Sequence, residues 1–149
     1  MFSKEKALKI AVITLFVVAG VDIIRGYMHT FNVWYASEHI AQMTQTADTM
    51  HLMITFGISN YLTGFIYILI GLKAKDIAPY VLILIPISYL IGSISMVTTG
   101  VRDMASETSW NGIYMLLVYW SVIILISSNY FVAAYKEKKE KGVQNEKNN

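Results

Sequence analysis

The chain has 149 residues, of which 55% are apolar and 15% charged, where soluble domains carry roughly 25% charged residues. Its net charge of +2 is small and its basic residues form no folded patch, which argues against a nucleic-acid partner. The absence of cysteine excludes disulfides and thiolate chemistry.

The length suits one domain. Apolar residues gather in four blocks parted by polar punctuation, instead of recurring at helical or strand period, and this points to lipid as the solvent. Crossing roughly 30 Å of hydrocarbon takes about 20 mostly apolar residues in a helix. Four segments qualify, 7–28, 50–72, 77–98 and 110–135. Backbone polar groups in lipid must be satisfied within the segment, so the expected fold is all-α, an integral membrane four-helix bundle.

The first span follows Lys4, Lys6 and Lys9. A basic start before an apolar run imitates a secretory signal, but no small-x-small cleavage site follows, so the segment is read as a retained anchor helix. Its uncharged core, Ile10 to Val21, holds twelve residues, about 18 Å at 1.5 Å per residue and too short to cross. The span therefore continues through Asp22 and Arg25. These two are three positions apart and His29 follows four later, so all three share one helix face. Thr14 and Val18 continue that face downward. A lone charge at mid-membrane costs about 2.5–3.5 kcal/mol on insertion scales, so the stripe is expected to point into the bundle or a wet cavity. The pair serves either as a functional site or as a structural device that sets helix register.

The connection over 29–49 includes FNVWYASEHIAQM. Its mixture of aromatic and polar groups predicts a short helix lying in the interface as a partial lid. His29, His39 and His51 all fall near this end, with Glu38 and Asp48.

The second span carries Gly57, Gly64 and Gly71 at seven-residue spacing, with Asn60 and Thr63 near the same face. Small residues let helix backbones approach in lipid. Asn60 either belongs to this contact or orients a ligand. The third span opens with Pro79 and contains Pro86, which predicts a kink near Leu82–Ile83. Ser88, Gly92, Ser95 and Thr99 form its small-residue stripe. The second outer connection holds Arg102, Asp103 and Glu107, and the fourth span carries Tyr119 and Trp120 as packing residues. Residues 136–149 are charged and low in apolar content, and read as a disordered tail that extends the last helix by a turn or two at most before fraying.

Ten of the twelve Lys and Arg residues lie at the termini or in the Lys73–Asp76 turn, and only Arg25 and Arg102 lie on the other side. The positive-inside rule then predicts cytoplasmic termini, and the expected location is the plasma membrane.

Three functions follow as expectations. The first is binding or transport of a small anionic or amphipathic molecule at an outer-facing pocket built from Asp22, Arg25, His29, His51, Asn60 and Arg102. Guanidinium forks would hold an anion, and His29 would titrate near neutral pH. Four helices make a thin pathway, so transport would require a homo-oligomer or a membrane partner. The second is a structural or accessory subunit packing through its small-residue faces. The third is a membrane enzyme holding a metal through His29, His39 and His51, or haem between His29 and His51. No HExxH or other tight ligand spacing occurs, so no cofactor is predicted and the reading leans away from an enzyme.

Overall fold

In the computed structural model, residues 3–101 and 112–147 are described, with side chains from 117 to 144 in the last helix. The elements, in order, are α1 (Lys4–Thr30), the single turn α2 (Val33–Tyr35) running into a π-helical turn Ala36–Ala41, α3 (Ala47–Lys73), α4 (Ala78–Thr98) and α5 (Gly112–Lys147). No strand occurs among the described residues. Four of the helices are long and apolar enough to cross a membrane, as an integral, multi-pass protein requires.

Local chemistry explains the helix boundaries. Ser3 caps α1 by accepting from the Lys6 amide at 3.4 Å. Thr46 and Thr49 form a reciprocal capping box at the start of α3, which satisfies two amides that would otherwise lack partners. Gln42, at φ 50°, closes the π-helical turn in the left-handed region. Pro79 occupies the first turn of α4, where the missing amide costs nothing. Pro86 lies buried inside α4, which stays one continuous helix.

α1 is the central helix and packs against α3, α4 and α5. Its contact with α3 is the most extensive, and the glycines explain why. A Cβ on Gly57 would sit 2.8 Å from Thr30 and 2.9 Å from the His29 Cβ. On Gly64 it would meet Ile23 at 2.8 Å and the Ala19 carbonyl at 3.1 Å, and on Gly71 the Phe16 ring at 2.6 Å. From the opposite side, Gly26 faces the Tyr61 ring at 2.9 Å. Lipid tails are as apolar as leucine, so helix contact in a membrane depends on such close van der Waals packing. The expected glycine contact surface of the second span is therefore present, and its partner is α1.

The other face of α1 carries Ala11, Leu15 and Val18 into a core with Ala78 and Leu82 of α4 and Ile123 of α5. Ala7 packs with Tyr130 and Ala133, so the start of α1 lies beside the distal half of α5. Lys4 and Glu137 pair there at 3.8 Å. Where the sequence reads as a tail after Tyr135, α5 runs on through Lys147. A Glu137–Lys141 contact of 2.7 Å supports the extension with the i,i+4 order that favours helix.

α3 and α4 are joined by only a short turn, Lys75–Ile77, yet they diverge and barely touch. The small-residue stripe of α4 does not meet another helix among the described residues. Ser88, Gly92, Ser95 and Thr99 are all exposed, and a Cβ on Gly92 would meet nothing within 4 Å.

Candidate functional site: a lateral polar cleft

The divergence of α3 from α4 leaves a cleft of about 360 Å³. One wall is a stripe of α3, Phe56, Ser59, Asn60, Thr63 and Tyr67, spaced i, i+3, i+4, i+7 and i+11 along one helix face. The facing wall is Val81, Leu84, Ile85, Ser88 and Tyr89 of α4, at i, i+3, i+4, i+7 and i+8. Asp22 of α1 and Tyr119 of α5 complete the lining. Phe56, Ser59, Leu84 and Ser88 are exposed at the mouth, and Asp22 is buried at 8% exposure.

At 1.5 Å per residue, Thr63 lies about 15 Å from Lys73 and about 24 Å from Ala47 along α3. Ser88 is likewise about 15 Å from Ala78 along α4. The cleft is therefore near the middle of both helices, and it opens sideways between them.

Of the charged residues of α1, Asp22 lies on the lining and Arg25 beside it. Thr63 Oγ1 lies 3.0 Å from Asp22 Oδ2 and 3.0 Å from the Asn60 carbonyl. A hydroxyl has one proton to give, and an ionised carboxylate is its stronger acceptor. Arg25 Nη1 stands 3.8 Å from Asp22 Oδ1, well beyond the roughly 2.7–2.9 Å of a charge-assisted hydrogen bond. The same nitrogen donates to the Tyr89 hydroxyl at 3.4 Å, and the guanidinium carbon lies 5.6 Å from the centre of the Phe56 ring. Arg25 thus neutralises Asp22 through space while phenol and aromatic contacts position it. Among the described residues, Asp22 Oδ1 has no donor at hydrogen-bond distance.

His29 completes the stripe expected on α1. Its Nδ1 lies 3.2 Å from Asn60 Nδ2, with donor and acceptor set by the tautomer, and its ring packs 5.5 Å from that of Phe56. Asp22, Arg25, His29 and Asn60 are therefore brought together. Arg25 and His29 stand behind the lining, while Asp22 and Asn60 belong to it.

The other candidates separate from this group. His39 stacks on Tyr35 with ring centres 4.6 Å apart. His51 is exposed, and its carbonyl accepts from Thr55 at 3.0 Å. Among the described residues, no three His, Asp or Glu side chains converge as a metal-ligand group. Arg102, with Asp103 and Glu107, lies outside the described residues.

Sequence reasoning missed Tyr67 and Tyr89 as site residues and read Tyr119 as packing. A signal for the first two was present. Polar groups recur at helical spacing along a face of α3 next to the glycine face, and Ser88–Tyr89 provide matching polarity on α4. Nothing in the sequence marks Tyr119 as their neighbour. The chain matches no family model, no curated protein and no solved structure.

Proposed function

We propose that this protein binds a small amphipathic molecule in the cleft between α3 and α4, as a multi-pass protein with cytoplasmic termini in the plasma membrane. One observation carries the reading: a cleft holding a carboxylate, hydroxyls and an amide opens at mid-helix level between two helices long enough to cross a membrane. Polar and ionisable groups at that depth are costly and generally face a cavity or a partner. A volume of about 360 Å³ lies within the roughly 300–1,000 Å³ of small-molecule sites. The mouth combines the apolar side chains of Phe56 and Leu84 with the hydroxyls of Ser59 and Ser88, which suits a ligand having an apolar chain and a polar head.

Binding is the primary act in this reading, since four helices enclose too little space for an aqueous path. The accessory-subunit alternative rests on the exposed stripe of α4, and exposure to lipid explains that stripe equally well.

The test is native mass spectrometry of gently purified protein beside Ser88→Trp, which fills the mouth from an exposed position. Wild type should retain one amphiphile per chain, and the variant should lose it while remaining folded. Equal retention by both proteins would remove the cleft as the binding site. Reporter fusions at each end test the proposed orientation, and a signal from the outer face at either terminus would overturn it.

A further inference from the structure

We infer that the cleft, entered from the bilayer between α3 and α4, selects an uncharged amphiphile with a hydroxyl-bearing head, of the monoacylglycerol kind, because Asp22 on its lining is already balanced by Arg25 beside it. The inference rests on the reading that the cleft binds a ligand, and adds the chemistry of its head.

Charge comes first. The Asp22 carboxylate and the Arg25 guanidinium stand 3.8 Å apart, with one on the lining and the other just behind it. A cationic head beside Asp22 would approach Arg25 as well, and an anionic head would face Asp22. Either one leaves an excess charge in a region of poor solvation, which is expensive. A neutral head leaves the internal balance undisturbed.

Hydrogen-bond capacity narrows the choice further. Asp22 Oδ1 accepts from no described donor. The Ser59 and Ser88 hydroxyls donate to carbonyls of their own helices, at 3.4 Å to Thr55 and 2.9 Å to Leu84, and this leaves their oxygens free to accept. The phenols of Tyr67 and Tyr119 add groups that both donate and accept. Such walls match a head that also does both. A quaternary ammonium does neither, and a carboxylate only accepts.

The route follows from the mouth. Phe56 and Leu84 are exposed on the two helices that diverge, near mid-helix, which a spanning orientation would set among acyl chains. A single-chain amphiphile can enter there head first while its chain remains among the lipids.

The experiment uses full-length protein in phosphatidylcholine nanodiscs with three photoactivatable probes sharing one acyl chain: a monoacylglycerol, a trimethylammonium and a fatty acid. Wild type should be labelled by the monoacylglycerol about tenfold more than by either charged probe, on peptides covering 56–67 and 81–89, and Ser88→Trp should abolish that labelling. Asp22→Asn frees the charge of Arg25 and should turn the preference toward the fatty acid. Arg25→Gln should turn it toward the ammonium, and provides the same test if the first variant fails to fold. Equal labelling by all probes, or a charged probe leading in wild type, overturns the head-group inference while Ser88→Trp sensitivity preserves the cleft. No Ser88→Trp-sensitive labelling by any probe overturns the binding function itself.

Discussion

The two sides of α3 use the same helix for opposite ends. Toward α1, glycines at seven-residue spacing bring the backbones so close that a single added carbon would collide with Thr30, Ile23 or Phe16. Toward α4, the stripe from Phe56 to Tyr67 faces a cleft and the neighbouring helix stands away. In lipid no general aversion to solvent presses apolar faces together, so close approach follows small residues and polar contacts. α4 meets the cleft with Val81, Leu84 and Ile85 as well as Ser88 and Tyr89, and its own glycine, Gly92, has no neighbour within 4 Å of an added Cβ among the described residues. A cleft stays open where one wall offers side chains and no complementary groove.

The largest expected effect breaks the close side. Gly64→Leu should destabilise by about 3 kcal/mol, the upper end for overpacking, because the Ala19 carbonyl lies in the way and a backbone atom cannot step aside. Gly92→Leu should change stability by less than about 0.5 kcal/mol, since no described residue comes within 4 Å of an added Cβ there. Equilibrium unfolding in mixed micelles measures both, and similar losses at the two glycines would show that packing does not distinguish the two regions.

The next effect lies where the regions meet. Asp22→Ala leaves Arg25 without its counter-charge. Removing one partner of a fully buried pair costs about 3–5 kcal/mol, but the Arg25 side chain is 36% exposed, so about 2 kcal/mol is expected here. Asp22→Ala combined with Arg25→Met should be less destabilised than Asp22→Ala alone. Strictly additive losses in that double-mutant cycle would show that the two charges do not interact. The smallest effect sharpens the contrast at Asn60, which touches both sides. Asn60→Leu removes the contact with His29 and should cost about 0.6 kcal/mol, the average for hydrogen bonds between membrane helices.

Much of this was legible from residue order. The twelve uncharged residues from Ile10 to Val21 could not cross alone, which placed Asp22 and Arg25 within the first helix, and their spacing put them on one face. The structure keeps them as neighbours and adds Thr63 and Tyr89 as partners. The glycines of the second span announced a close contact by their period. The short helix after the first span also occurs, as α2 and its π-helical turn. Its left-handed exit at Gln42 left no trace in the sequence, because no glycine marks it.

Other features escaped because they depend on how separate helices are set against each other. The stripes of Gly57 and of Ser88–Thr99 look alike on paper, yet one is covered and the other exposed. Tyr119 faces the cleft only because α5 packs against both α1 and α4.

Residue order alone determined that four helices are long enough to cross a membrane, that one of them carries an acid and a base on one face, and which face of α3 admits a close neighbour. Those properties are sums or periods along a single segment, so no partner is needed to read them. Only the tertiary structure decided that α1 is the central helix, that α3 and α4 part, and that the polar groups line a sideways opening at mid-helix. Helix angles in lipid arise from contacts between residues far apart in the chain, such as Gly64 with Ala19 and Arg25 with Tyr89, and no local pattern encodes the angle between two segments.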